Sequence, residues 1–301
     1  EIRLSLVGSE MCIRDSASDY NTAVGELAMG TGSVSGALSN TAIGYKAMED
    51  VTSGDYNVAL GSDAGKGLTD GHTNVAIGYA AMVTSTSAQN CTFVGKDAGA
   101  DGNITTAANG TVGIGSAALK VLTSGANNIA IGKQALDALT TSSHNLAIGV
   151  DALGTGTYDC DYNVAIGNYT LDACTAGATV TGNVAVGYAA GSAVTTSDNG
   201  VFVGYLAGNA VTTGASNVII GANAGDTLTT ALNNTAVGKD AMGAVTTATV
   251  DGAVAIGFQA LYGSSSTTTG ANYSIAIGKE SLKALTSGAN NLAIGYQALA
   301  A

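Results

Sequence analysis

The 301-residue chain has no proline, no tryptophan, two histidines, three phenylalanines and only 11% charged residues. These shortages exclude whole classes of function. With so little histidine and no repeated serine context, no nucleophile–base–acid set can be nominated, and the sequence predicts a protein that is not an enzyme. His72 and His144 fall four repeat units apart, on the order of 19 Å at the spacing of stacked strands, too far to share a metal within one chain. The glycines fit neither the G-x-G-x-x-G nor the P-loop pattern. No cofactor and no metal are expected. No run of eighteen apolar residues exists, so no membrane insertion is expected from this stretch. The net charge of −12, with no basic stripe, argues against nucleic acid as a partner.

What the chain does have is 43 glycines and 46% hydrophobic residues, mostly Ala, Val, Ile and Leu. That is too apolar for a disordered acidic tail and enough to bury a core. Four cysteines occur, at 12, 91, 160 and 174. None has C-x-x-C spacing, so neither a zinc site nor a redox motif is suggested. Cys160 and Cys174 flank one repeat; the sequence leaves open whether they pair. Residues 1–16 hold both arginines and no repeat. They are read as a non-native leader, because the string LVGSEMCIRDS at 6–16 resembles an in-frame translation of a sequencing adapter. Residues 17–301 are read as a single repeat domain.

The repeat is N-x-A-[IV]-G-x-x-A, in sixteen units spaced mostly by 17 and at most by 21 residues. Its anchoring pairs include Asn57 and Gly61, Asn74 and Gly78, Asn128 and Gly132, Asn145 and Gly149, and Asn163 and Gly167. Asn183 and Gly187, Asn217 and Gly221, Asn234 and Gly238, and Asn291 and Gly295 continue the series. Insertions fall in Gly/Ser/Thr-rich stretches, as expected of loops in a solenoid. The residue before each glycine is Val, Ile or Leu, and the residue three before it is Val, Thr, Ile or Leu. Positions two apart share a strand face, and β-branched residues suit strands. Each unit therefore predicts one short strand, stacked in parallel on the next. The residue between them is Ala in twelve of sixteen units. Ala76, Ala130, Ala147, Ala165, Ala185, Ala236 and Ala293 are expected on the opposite, outward face, as an apolar oligomer strip. Stacked asparagines are expected to bond one another and the neighbouring backbone. The glycine is expected to supply a conformation or a close approach that a Cβ would block.

After the glycine, apolar residues at the third, fourth and seventh places fit a helical turn or a second short strand, of which the strand is the favoured expectation. A polar column at the second place, including Asp63, Asp97, Asp151 and Asp240, is read as a solvated face rather than a calcium site. The eighth place is mostly Thr. Thr195, Thr212, Thr229 and Thr246 come from four consecutive units. They are read as a structural ladder, with a weaker reading as an array that recognises a repeating ligand such as ice. Tyr45, Tyr79, Tyr188, Tyr205, Phe258 and Tyr296 share the first place after the glycine; Tyr188 and Tyr205 fall in adjacent units and are expected to stack, with a weaker reading of these aromatics as a surface for sugar rings.

The units NVAIGYAA (74–81), NVAVGYAA (183–190) and NLAIGYQA (291–298) resemble the head repeats of trimeric autotransporter adhesins. The Asn-Thr-Ala-Val-Gly form at 21 and 234 is similar to phage tail-fibre repeats. The resemblance implies a left-handed parallel β-roll assembled as a homotrimer. The units here are longer than typical adhesin head repeats, and the stretch carries no stalk, anchor or signal segment of that family. The expected function is a structural or attachment fibre segment, extracellular, on a phage tail or a bacterial surface. Its expected partners are itself, as a homotrimer, and a host-surface or extracellular-matrix ligand. The alternative is an ice- or crystal-surface-binding solenoid using the threonines.

Overall fold

The computed structural model describes residues 20–30, 34–155, 160–174, 179–245, 250–263 and 270–300. The leader read at 1–16, with Cys12, and Thr246 of the threonine column lie outside the described residues. The chain forms two compact units, Glu1–Asn145 and Leu146–Ala301. The first holds β1 (Thr22–Val24), β2 (Thr41–Ile43), β3 (Val58–Leu60), β4 (Val75–Ile77), β5 (Thr92–Val94), β6 (Val112–Ile114) and β7 (Ile129–Ile131). The second holds β8 (Leu146–Ile148), β9 (Val164–Ile166), β10 (Val184–Val186), β11 (Val201–Val203), β12 (Val218–Ile220), β13 (Thr235–Val237), β14 (Val254–Ile256), β15 (Ile275–Ile277) and β16 (Leu292–Ile294).

Within each unit every strand pairs in parallel with the next in sequence. Register follows the repeat: Ala76 sits opposite Ala59 and Phe93, and Ile77 opposite Leu60 and Val94. Each unit is thus an all-β parallel solenoid with one strand per turn. The only helix among the described residues is a single 3-10 turn, Thr106–Ala108.

The strands are three residues long because the glycine ends them. Gly78 has φ +128°, and a Cβ there would lie 2.5 Å from the carbonyl oxygen of Gly95, one turn on. Both the backbone angle and the close approach of the next turn require a residue without a side chain.

The segment after the glycine is not the second strand expected from sequence. It is a run of overlapping tight turns. In the turn of Gly44, Ala47 N donates to Gly44 O, Glu49 N to Lys46 O and Val51 N to Met48 O, each at 3.3 Å. Lys46 and Met48 have φ of 55° and 48°, the left-handed third position of a type II turn. The same two positions are left-handed in turn after turn, as at Asp63, Gln134, Leu136 and Gln259. Three-residue bonds close the chain on itself locally, so no extended segment remains to join a second sheet.

The face assignment of the strand is the second correction. Ala76, Ala130, Ala147, Ala165, Ala185 and Ala236 are fully buried and Ala293 is 3% exposed. The alanines point into each solenoid's core, not outward as an oligomer strip; the flanking Val, Ile and Thr face out. The interior is narrow, and volume is conserved across it. Phe93 replaces the alanine in one turn, and Gly99 then replaces the usual Leu or Met; a Cβ at Gly99 would lie 2.9 Å from the Phe93 ring. Phe202 with Gly208 and Ile219 with Gly225 repeat the exchange, at 2.5 and 2.9 Å.

Candidate interaction surfaces

The outward strand face presents two adjoining columns per turn. Among the more open members, Leu60 is 44% exposed and Ile131 38%. Strand side chains alternate, so when small alanines fill the interior, the larger β-branched pair must stand in solvent.

The asparagines run inside the wall of each unit. Asn57 Oδ1 accepts from Asn74 N at 3.0 Å and from Asn74 Nδ2 at 3.0 Å. Asn57 Nδ2 donates to Asn40 Oδ1 at 3.1 Å and to Gly71 O at 2.7 Å. Asn128 with Asn145, Asn163 with Asn183, and Asn217 with Asn234 repeat the pattern. All nine are buried, so these bonds satisfy a backbone that water cannot reach. Asn291, in an open turn, donates to Ser274 Oγ and Gly288 O. Where the column holds Cys91, Thr111 or Ser274 a small polar atom stands in, whereas Gly200 and Ala253 carry none. Thr111 Oγ1 donates to Gly125 O, and Cys91 Sγ lies 3.4 Å from Ala108 O. Burial pushes the free Cys91 thiol up from its ordinary value.

A second ladder was not read from the sequence. In several turns the residue six before the glycine caps the preceding turn. Asp55 Oδ1 accepts from Leu38 N at 2.7 Å, Asp198 Oδ1 from Thr181 N at 2.8 Å and Asp251 Oδ1 from Leu232 N at 2.7 Å. His72 does the same, accepting from Asp55 N at Nδ1, 3.1 Å away. The mixed chemistry of this column hid it: Asp, Asn, Ser and His share only a side-chain acceptor near the backbone.

The threonine hydroxyls point along the solenoid. Thr195 Oγ1 donates to Thr212 O at 3.2 Å and Thr212 Oγ1 to Thr229 O at 3.1 Å. Thr229 is exposed. The hydroxyl protons of Thr195 and Thr212 thus serve the backbone of the next turn.

The first place after the glycine forms an exposed aromatic and lysine column. Tyr188 and Tyr205 stack with ring centres 5.5 Å apart and planes at 15°, and Tyr169 meets Tyr188 edge-on at 5.8 Å. Lys279 Nζ lies between two rings, 5.8 Å from Phe258 and 5.6 Å from Tyr296.

Two further chemical features lie in the second unit. Cys160 and Cys174 form a disulfide and are buried. Asn209 Oδ1 and Asp226 Oδ1, one turn apart, are buried with no hydrogen-bond partner. Burial, and then the Asp240 carboxylate, push the Asp226 carboxyl from its ordinary 3.8 up to about 6. Among the described residues no group of three or more His, Cys, Asp or Glu could hold a metal, and no helix is long and apolar enough to cross a membrane. Comparison with protein-family models, characterised proteins and solved structures finds no match to this chain.

Proposed function

We propose that this chain is a non-catalytic segment of an extracellular attachment fibre, of the phage-tail or bacterial-surface kind, that self-associates as a homotrimer and binds a host surface or matrix ligand. The observation that carries this reading is the outward strand face. In turn after turn, large Val, Ile and Leu side chains stand on the solvent side, as at Val58, Leu60, Ile129 and Ile131. Contiguous apolar strips of this kind usually mark interfaces. A repeated strip is the same on every copy and matches its own pitch, which favours sister chains as its cover. The Val/Ile strip thus takes the role first assigned to the alanines. The Cys160–Cys174 bond supports an oxidising compartment outside the cytosol. The resemblance of the repeats to adhesin heads and tail fibres supports attachment as the purpose.

Sedimentation equilibrium tests the assembly: the expected mass is three times the 29.2 kDa of one chain. The Ile114→Lys, Ile131→Lys double variant places charges on adjacent turns of the strip and should lower that mass with the far-ultraviolet circular dichroism unchanged. A wild type that stays at one chain's mass removes the trimer. Attachment is tested with labelled full chain on a panel of intact bacterial and animal cells. Saturable adsorption competed by unlabelled chain is expected, and its absence from every surface rejects the reading.

A further inference from the structure

Tyr45, Ser62 and Tyr79 occupy the first place after the glycine in three successive turns. Their register is fixed by the backbone: Asp63 N donates to Tyr45 O at 2.8 Å and Ala80 N to Ser62 O at 3.0 Å. Tyr45 is 46% exposed and Tyr79 55%. At two other places in this column large side chains fill successive rungs. Tyr188 and Tyr205 stack at 5.5 Å in adjacent turns. Phe258 and Tyr296, two turns apart, hold the ammonium of Lys279 between them. Between Tyr45 and Tyr79 the rung is a serine. Two strand spacings amount to on the order of 10 Å, which leaves the thickness of one ring between the two tyrosines.

Groups of both charge signs adjoin Tyr45 and Ser62. Ser62 Oγ donates to Asp63 Oδ2 at 3.0 Å. Lys46 Nζ stands 5.5 Å from the Tyr45 ring centre and 3.5 Å from Glu49 Oε1. A second ammonium would meet Lys46, and an anion would meet Asp63. A neutral ring rich in hydroxyls suits both, accepting from Lys46 and donating to Asp63. Its axial C–H bonds would rest on the electron-rich faces of the tyrosines.

We propose that the slot between Tyr45 and Tyr79, floored by Ser62, binds one pyranose ring of a surface glycan. This deepens the attachment reading and rests on it for its biological purpose, while the slot itself stands on the missing rung. It lies beyond the glycine column from the Val/Ile strip.

Saturation-transfer NMR on the full chain, with methyl β-glucopyranoside, methyl β-galactopyranoside and N-acetylglucosamine as probes, tests it. Transfer from tyrosine to the ring protons of at least one sugar is expected. Tyr79→Ala should abolish it by removing one wall. Ser62→Tyr should abolish it by filling the rung while keeping the fold, since Tyr188 and Tyr205 already stack in that geometry. Tyr205→Ala should leave it intact. The proposal is overturned if no sugar receives transfer, if Ser62→Tyr transfers as well as wild type, or if tetramethylammonium receives transfer and the sugars do not. Pyranose transfer without adsorption to any cell upholds the slot and sinks the attachment reading; adsorption without pyranose transfer does the reverse.

Discussion

Gln259 sits with φ 53° in a turn whose third position must be left-handed. For a residue with a Cβ that conformation costs about 1–2 kcal/mol. Glycine escapes the cost but loses about 0.5–1 kcal/mol to its greater unfolded freedom. Gln259→Gly should therefore leave the melting temperature level or slightly raised, whereas Gln259→Val should lower it. Calorimetry giving equal values for the two variants would remove backbone strain as the reason. Asp226 acts through protonation instead. Its carboxyl is raised to about 6 in the folded chain, so the protonated form is the one folding favours. The stability it contributes is fully present below its ordinary 3.8 and is lost as pH rises through about 6. Asp226→Asn, which stays neutral, should be more stable than wild type at pH 7, with the gap closing toward pH 4. Urea midpoints across that range measure it, and a gap that does not change with pH rejects the assignment.

At the scale of the element, the asparagine ladder closes each turn onto the next. Asn57→Ala removes an acceptor from Asn74 N and a donor from Gly71 O, both buried. Leaving such groups unpaired costs about 1–3 kcal/mol each. Asn57→Ser should be milder, because Ser274 Oγ already accepts from Asn291 N at 3.2 Å in its own turn. Denaturant midpoints should rank wild type, then Ser, then Ala; Ser equal to Ala would mean that the side-chain bonds carry no weight. The period, the strand and the glycine column were legible because each needs one residue type at one place. The run of turns after the glycine was not, since Asp63, Gln134 and Leu136 are unlike one another, and Gln and Leu do not favour the left-handed region.

At the scale of the whole molecule, a solenoid turn touches only its neighbours, and stability is close to a sum of local terms. The Cys160–Cys174 bond spans 14 residues. A loop of about that size is worth about 3 kcal/mol in the entropic account. Reduction should therefore speed amide exchange in the turn around β9 and leave β1 to β7 unchanged. Hydrogen exchange with and without reductant checks this. Uniform acceleration throughout would mean that the chain unfolds as one cooperative block.

The sequence by itself determined the repeat, the position and direction of every strand, and two apolar columns flanking a column of alanine. Only the tertiary structure decided which of those faces is inside. Both are apolar, so hydrophobicity does not separate them; the width of the interior does. Buried Leu and Met side chains of the turn segment, such as Met48, Leu136 and Leu139, share the interior with the strand, which leaves room for Ala there but not for a full column of Val or Ile. The pairing of Phe93 with Gly99, Phe202 with Gly208 and Ile219 with Gly225 was written in the sequence and carried that message. Its meaning emerged only once the two positions were seen to share one confined space.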